Sequence, residues 1–129
     1  MATPRFWREI PYRYRLEGSK CVKCGQEYFP PRAVCPKCKS RSTEKVELPC
    51  EGKVETFTVI DVAPAAWRSL TPYAVGVIEL TNGVRLTAQI VDCELDKISI
   101  GQPVKLEFRR LMDDGPSGVI GYGYKAVPA

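Results

Sequence analysis

Val84, Leu86, Ala88 and Ile90 alternate with Arg85, Thr87 and Gln89, and Val104, Leu106 and Phe108 alternate with Lys105, Glu107 and Arg109. A period of two puts each set on one face of a half-buried strand. Gly52 to Val62 is rich in Val, Thr, Phe and Ile and is long enough to bend from one sheet into another. Tyr73 to Leu80 reads as a second strand, and Thr81-Asn82-Gly83 predicts a hairpin, because Asn-Gly tolerates the positive φ angles of a type I′ turn. Ile120 to Ala126 is the fifth strand. In it Gly121 and Gly123 alternate with Tyr122 and Tyr124, a pattern that marks a tight barrel corner or the close approach of another backbone. Five strands, the first of them long, with residues 91–102 left for a turn or short helix, predict an OB-type barrel, with a small sandwich as the runner-up.

A different period opens the chain. Phe6, Trp7, Ile10 and Tyr14 recur at spacings of three and four on a basic background, which predicts an amphipathic helix interrupted or ended near Pro11. Its apolar face must dock, either on its own domain or on a partner subunit. Between helix and barrel, Glu27-Tyr28-Phe29 reads as a short strand, Pro30-Pro31-Arg32 as a stiff extended segment and Lys39 to Thr43 as a polar loop. The chain is therefore expected to be mainly β: a helical segment over residues 1–15, a metal-pinned ribbon over 16–48 and a five-stranded OB-fold barrel over 49–129. No Gly/Ser linker separates ribbon from barrel, so the two should pack together.

The metal expectation rests on Cys21-Val22-Lys23-Cys24 and Cys35-Pro36-Lys37-Cys38. Two Cys-x-x-Cys pairs place four thiolates at the corners of a tetrahedron, and with all four corners taken by cysteine no site remains for water or substrate. Such a metal holds the fold and does no chemistry. Disulfides or free thiols at chance spacing are the alternatives, and spacing alone does not separate zinc from a rubredoxin-type iron. Cys50 and Cys93 are left over and read as free, half-buried thiols.

Composition narrows the function. The 129 residues are 44% hydrophobic and 26% charged, an ordinary globular balance, and no apolar run reaches the roughly 20 residues of a membrane span. The first fifteen residues do not read as a signal peptide, so six cysteines point to a reducing cytoplasm. Residues 1–45 carry 11 Lys and Arg against 4 Asp and Glu, a balance of +7, whereas residues 46–129 carry 8 against 11, a balance of −3. Four thiolates on a divalent metal leave the first part near +5, so an anionic partner should meet it first. The chain has no histidine, which removes the commonest general base and every Ser-His or Cys-His pair, and argues against an enzyme.

The stretches Trp7-Arg8, Tyr14 to Gly18, Cys21 to Gly25, Tyr28 to Arg32 and Cys35 to Cys38, then Leu70 to Tyr73, Thr87 to Gln89, Lys97 to Gly101, Phe108 to Arg110 and Gly121 to Lys125, run through nearly the whole chain in order. In them the chain resembles a family of small proteins that join a rubredoxin-like zinc ribbon to an acyl-CoA-associated OB-fold. The second half looks most like archaeal members that accompany acetoacetyl-CoA thiolase and HMG-CoA synthase. The resemblance implies a non-catalytic scaffold in the early mevalonate route, one structural zinc, and a CoA thioester shared with the partner enzymes. Other relatives serve different thiolases, so an accessory role in acyl-CoA degradation is the alternative. A single-stranded nucleic-acid-binding ribbon and barrel is the more distant one, set against no nucleic acid and no membrane as the main expectation. CoA phosphates favour Arg and Lys near aromatic surface. Lys20 and Arg32 on the ribbon and Trp67 and Arg68 in the loop after the first barrel strand are the candidates, with Trp67 alternatively a loop anchor and Arg32 alternatively in an ion pair. Phe6, Trp7 and Tyr14 are the candidates for docking on a partner enzyme.

Overall fold

In a computed structural model of the chain, residues 3–113, 115–118 and 120–129 are described; residues 1 and 2 of the expected N-terminal segment lie outside them. Helix α1 spans Thr3–Arg15. Strands β1 (Glu17–Cys21), β2 (Glu27–Tyr28) and β3 (Thr43–Glu47) form an antiparallel sheet in the order β2-β1-β3. Strands β4 (Glu51–Ile60), β5 (Tyr73–Leu80), β6 (Arg85–Ile90), β7 (Pro103–Asp113) and β8 (Ile120–Pro128) close a barrel in the order β4-β5-β6-β8-β7. The mainly β architecture with a five-stranded OB barrel is thus the one expected, and a short 3₁₀ turn over Leu95–Lys97 fills the expected break.

Helix α1 does not stop at Pro11 but runs through it. A proline there removes one N–H and so one i→i−4 bond. The second half of the helix is held instead by its surface. The Tyr12 ring meets Phe29 edge-on at 5.9 Å, and Tyr14 meets Phe108 at 5.2 Å and Tyr122 at 6.2 Å. The Tyr124 hydroxyl donates to the Tyr14 carbonyl at 2.8 Å. Along the helix Glu9 accepts from Arg5 at 3.0 Å and Arg13 at 2.6 Å, each four residues away.

The Asn-Gly hairpin forms, with a different turn. Only Gly83 has positive φ (+88°), Gly83 N–H donates to Leu80 C=O at 2.9 Å, and Leu80 N–H donates to Val84 C=O at 2.8 Å. This is a three-residue loop ending in a left-handed glycine, in place of a two-residue I′ turn. The Asn82 side chain is committed elsewhere: its Oδ1 accepts from Val84 N–H at 3.2 Å and its amide donates to Glu27 of the ribbon. Strand β7 continues beyond Arg109 because β8 pairs with it as far as Asp113 opposite Ile120. At Gly123 the close neighbour is a side chain: a Cβ there would lie 2.5 Å from Leu111 Cδ1.

Two strands of the ribbon, β1 and β3, were not expected as strands. They pair from Glu17 opposite Glu47 to Cys21 opposite Thr43, and Leu48 N–H donates to Leu16 C=O at 3.1 Å to close their base. Leu16 (2% exposed) and Leu48 (3%) belong to the same core as Val54, Ile78, Leu80 and Val104 of the barrel, so ribbon and barrel share one interior. Cys93 is half-buried as expected, but Cys50 is exposed, although its carbonyl accepts from Leu106 N–H of β7 at 2.7 Å.

Truncating Leu16 leaves a cavity where helix, ribbon and barrel meet. Leu16→Ala should lower stability by about 2–5 kcal/mol. The loss should appear as one cooperative transition followed by both tyrosine absorbance and metal release; two separate melts would mean that ribbon and barrel do not share a core.

Candidate functional site: a four-cysteine metal centre

The two Cys-x-x-Cys turns are built alike. Gly25 N–H donates to Cys21 C=O at 2.9 Å and Cys21 N–H to Gln26 C=O at 2.9 Å; Lys39 N–H donates to Cys35 C=O at 2.8 Å and Cys35 N–H to Ser40 C=O at 2.9 Å. The residue after each second cysteine takes the left-handed conformation, Gly25 at φ +74° and Lys39 at φ +59°. Glycine adopts this freely, and lysine does so here because the knuckle overrides its preference.

This backbone aims N–H groups at sulfur. Those of Cys24 and Lys23 bond Cys21 Sγ, and those of Cys38 and Lys37 bond Cys35 Sγ. Gln26 N–H serves Cys24 and Ser40 N–H serves Cys38. The four Sγ atoms lie within 4.8 Å of one another, with Cys21–Cys38 at 3.4 Å and Cys24–Cys35 at 3.5 Å. A zinc with bonds of 2.3 Å needs tetrahedral edges of about 3.8 Å, so the cluster fits a tetrahedral ion. No disulfide joins these cysteines among the described residues. Cys21 and Cys35 are buried and Cys24 and Cys38 exposed, which gives the ion one inner and one outer pair of ligands. A metal here would fix the knuckles to each other and leave no position for a substrate.

Tyr28 is the functional residue that sequence reasoning missed. Its hydroxyl lies 3.2 Å from Cys35 Sγ, holding that thiol down at about 6 while its own phenol is pushed up to about 12. The signal was present in the aromatic of β2, which sits between the knuckles and pairs with Ser19 of β1.

The remaining candidates are spread over the surface. Lys20 and Arg32 sit on the ribbon; Arg32 N–H donates to Ser19 Oγ at 2.9 Å and the guanidinium lies 5.9 Å from the Tyr28 ring centroid. Trp67 and Arg68 lie in a 3₁₀ turn over Ala65–Leu70, with Trp67 half-buried against Tyr73 at 5.8 Å and Arg68 exposed. No hydrogen bond, ion pair or ring contact joins the two pairs among the described residues. In α1, Trp7 is 73% exposed, Phe6 is half-covered beneath the Arg13 guanidinium at 4.5 Å, and Tyr14 packs on the barrel's own Phe108 and Tyr122. Tyr14, expected to face a partner, is thus turned toward its own chain, because Phe108 and Tyr122 offer it an aromatic surface within the barrel wall.

Tyr28→Phe should weaken metal binding about ten- to a hundred-fold, because a hydrogen bond to a ligand sulfur is lost while the ring stays in place. Competition against a chelator of known affinity measures this, and an unchanged affinity would show the hydroxyl to be incidental. Lys39→Gly should be neutral or mildly stabilising, since the relief of left-handed strain, about 1–2 kcal/mol, exceeds the added chain entropy.

Two family models match the chain: the ChsH2 rubredoxin-like zinc ribbon domain over residues 8–44 and the ChsH2 C-terminal OB-fold domain over residues 45–109. A DUF35 domain-containing scaffold protein of Methanothermobacter thermautotrophicus is 42% identical over 127 residues, covering 98% of this chain and 96% of that one. The benzoylsuccinyl-CoA thiolase subunit BbsA of Thauera aromatica is 37% identical over 75 residues, 58% of this chain and 51% of BbsA. Among solved structures, a chain of the Ltp2-ChsH2(DUF35) aldolase superposes with a TM-score of 0.74 at 31% identity, covering 99% of this chain and 96% of that chain. With the paired knuckles, the shared core and the two full-length matches in agreement, the chain belongs to the DUF35 family, in which a rubredoxin-like zinc ribbon is joined to an OB-fold domain of the ChsH2 type.

Proposed function

We propose that this chain is a non-catalytic scaffold subunit that bridges acetoacetyl-CoA thiolase and HMG-CoA synthase and helps hold the CoA thioester passed between them. The observation that carries the reading is the full-length similarity to a protein named as a scaffold, and exposed aromatic and basic side chains support it. Trp7 stands 73% exposed on α1 and Phe108 48% exposed on the barrel, while Lys23, Lys37, Lys39 and Arg41 form no ion pair among the described residues. Exposed aromatics and unpaired cations are what a partner interface or a phosphate-bearing ligand uses. The absence of histidine fits a chain whose chemistry is supplied by its partners.

Zinc is the proposed metal, one per chain and structural, held by Cys21, Cys24, Cys35 and Cys38. Lys20, Arg32, Trp67 and Arg68 are proposed to face the CoA phosphates and pantetheine, and Phe6 and Trp7 to face the partner enzyme. Among the described residues no helix is long and apolar enough to cross a membrane, and a cytoplasmic setting is proposed from the six unpaired thiols. The similarity to BbsA supports a second reading, in which the partner is a thiolase of acyl-CoA degradation and no HMG-CoA synthase is bound.

A tagged chain isolated from native lysate should bring down a thiolase together with HMG-CoA synthase and about one zinc per chain. Recovery of a thiolase alone would select the second reading, and recovery of nucleic acid without an enzyme would overturn both. Trp7→Glu should reduce enzyme recovery at least ten-fold without changing the melting temperature of the free chain, because so exposed a ring adds little to its own fold. Equal recovery by the variant would remove α1 from the interface. Cys93→Ser should leave the activity of the assembled enzymes intact.

A further inference from the structure

The barrel is closed on one side by very little. Leu80 N–H donates to Val84 C=O, so Leu80 and Val84 are a hydrogen-bonded pair at the start of the β5–β6 ladder. Alternation then turns the main-chain groups of Leu86, Ala88 and Ile90 toward β5 and those of Arg85, Thr87 and Gln89 toward the opposite edge. That edge meets β8 at a single parallel pair, Ile90 with Ala126, secured by Val91 N–H donating to Ala126 C=O at 2.9 Å. Before that pair, the outward main chain of Arg85 and Thr87 has no strand beside it among the described residues.

The ground next to this edge is hollow and mostly apolar. A cavity of about 270 Å3 lies under Trp67, between Tyr73, Val75 and Gln89. Another of about 320 Å3 lies under Phe29 and Pro30, beside Val77 and Arg85, and a third of about 300 Å3 lies between α1 and β8. Thr87 lines all three, so they follow β6 along its length. Gln89 lines the first, and its Oε1 is buried with no hydrogen-bond partner among the described residues. A buried acceptor without a partner destabilises the free chain, and its retention needs an explanation.

A compact apolar ligand would fill one hollow and leave the main-chain groups unpaired. An extended polypeptide matches all of the features at once: its own N–H and C=O groups repeat every two residues, about 6.8 Å, in step with Arg85 and Thr87. Its alternate side chains would enter the hollows, and an N–H of the segment would reach Gln89. The charged residues lining the three cavities are Arg5, Arg13 and Arg85, each already ion-paired with Glu9, Glu55 or Glu79. A segment free of Lys and Arg therefore fits, with an Asp or Glu tolerated at its ends.

We propose that β6 is completed by strand addition: an extended, largely apolar segment of the partner enzyme lies along Arg85–Gln89, pairs with the outward main chain of Arg85 and Thr87, and gives Gln89 Oε1 the donor it lacks. The identity of the segment's owner rests on the scaffold reading above; the strand site itself does not. Two variants separate strand pairing from simple packing. Thr87→Pro removes an outward N–H and spares the ladder to β5, so the free chain keeps its fold. Gln89→Leu removes the unpartnered acceptor, so the free chain should melt higher while the segment binds more weakly.

The first test selects random twelve-residue peptides displayed on phage against the full chain. Selected peptides should be apolar and poor in Lys and Arg, should slow amide exchange at Arg85 and Thr87 at least ten-fold, and should lose at least ten-fold in affinity in both variants. A selection that yields no peptide sensitive to Thr87→Pro and Gln89→Leu overturns strand addition, whether or not a thiolase co-purifies. The second test repeats the native isolation with the same variants, where enzyme recovery should fall in both. A thiolase recovered equally by wild type and variants overturns strand addition and leaves the scaffold reading standing. Protection of the same amides by free CoA, with no peptide bound, would also overturn it by assigning the groove to a small molecule.

Discussion

Leu16 and Leu48 hold this molecule together. One is the residue at which the chain leaves α1 and enters the ribbon, the other is where it leaves the ribbon for the barrel, and both are buried in the barrel's core. Each contributes on the order of 1.5–3 kcal/mol of burial. The Leu48 N–H to Leu16 C=O bond makes the base of the ribbon a fixed two-strand stem. Leu16 adopts φ +52° to do so, a conformation a leucine takes only when its surroundings over-determine it. From this stem the direction of α1, the pairing of β1 with β3 and the seat of Phe29 on the core all follow.

The metal centre fixes the other end of the same stem. The ribbon has few apolar residues of its own, and its far half is mostly exposed around Cys24 and Cys38. Such a module holds its shape only if something other than a core ties its loops, and four sulfurs around one ion do that. Lys23 and Lys37, at equivalent places inside the two knuckles, sit close to a centre that carries about two negative charges when a divalent ion is bound, and soften its field. Tyr28 couples the ends, since β2 pairs with β1 on one side while its hydroxyl reaches Cys35 on the other.

The parts legible in the sequence are those whose chemistry is local. The paired Cys-x-x-Cys turns need only their own backbone, and the alternation of β6 and β7 reports a barrel wall directly. The Asn-Gly signal placed a hairpin but not its turn, because Asn82 spends its side chain on Glu27, a ribbon residue fifty-five positions away. Strands β1 and β3 were hidden because Glu17-Gly18-Ser19-Lys20 and Thr43-Glu44-Lys45 carry no apolar alternation; they are strands because the leucine stem and the knuckles hold them side by side. Pro11 misled for the same reason in reverse: the local rule lost to the packing of Tyr12 and Tyr14. No sequence pattern announces that the buried Gln89 acceptor finds no donor among the described residues.

The Gln89 acceptor, unpartnered among the described residues, and the thin closure of the barrel lie on the same strand. An OB-fold is a partly open five-stranded barrel, and in this chain the pairing around β8 is uneven. Here β7 and β8 pair over nine residues on one side of β8, whereas on its other side, among the described residues, the ladder to β6 is the single pair Ile90 and Ala126. Leu111 and the Gly123 face occupy part of the gap, and α1 roofs another part, so the seam is lined without being filled. The leucine stem borders this seam directly, since Leu16 lines the same hollow as Leu86 and Thr87. A scaffold has to be rigid enough to present a surface, and in this chain the buried leucine stem supplies that rigidity beside a seam that stays open.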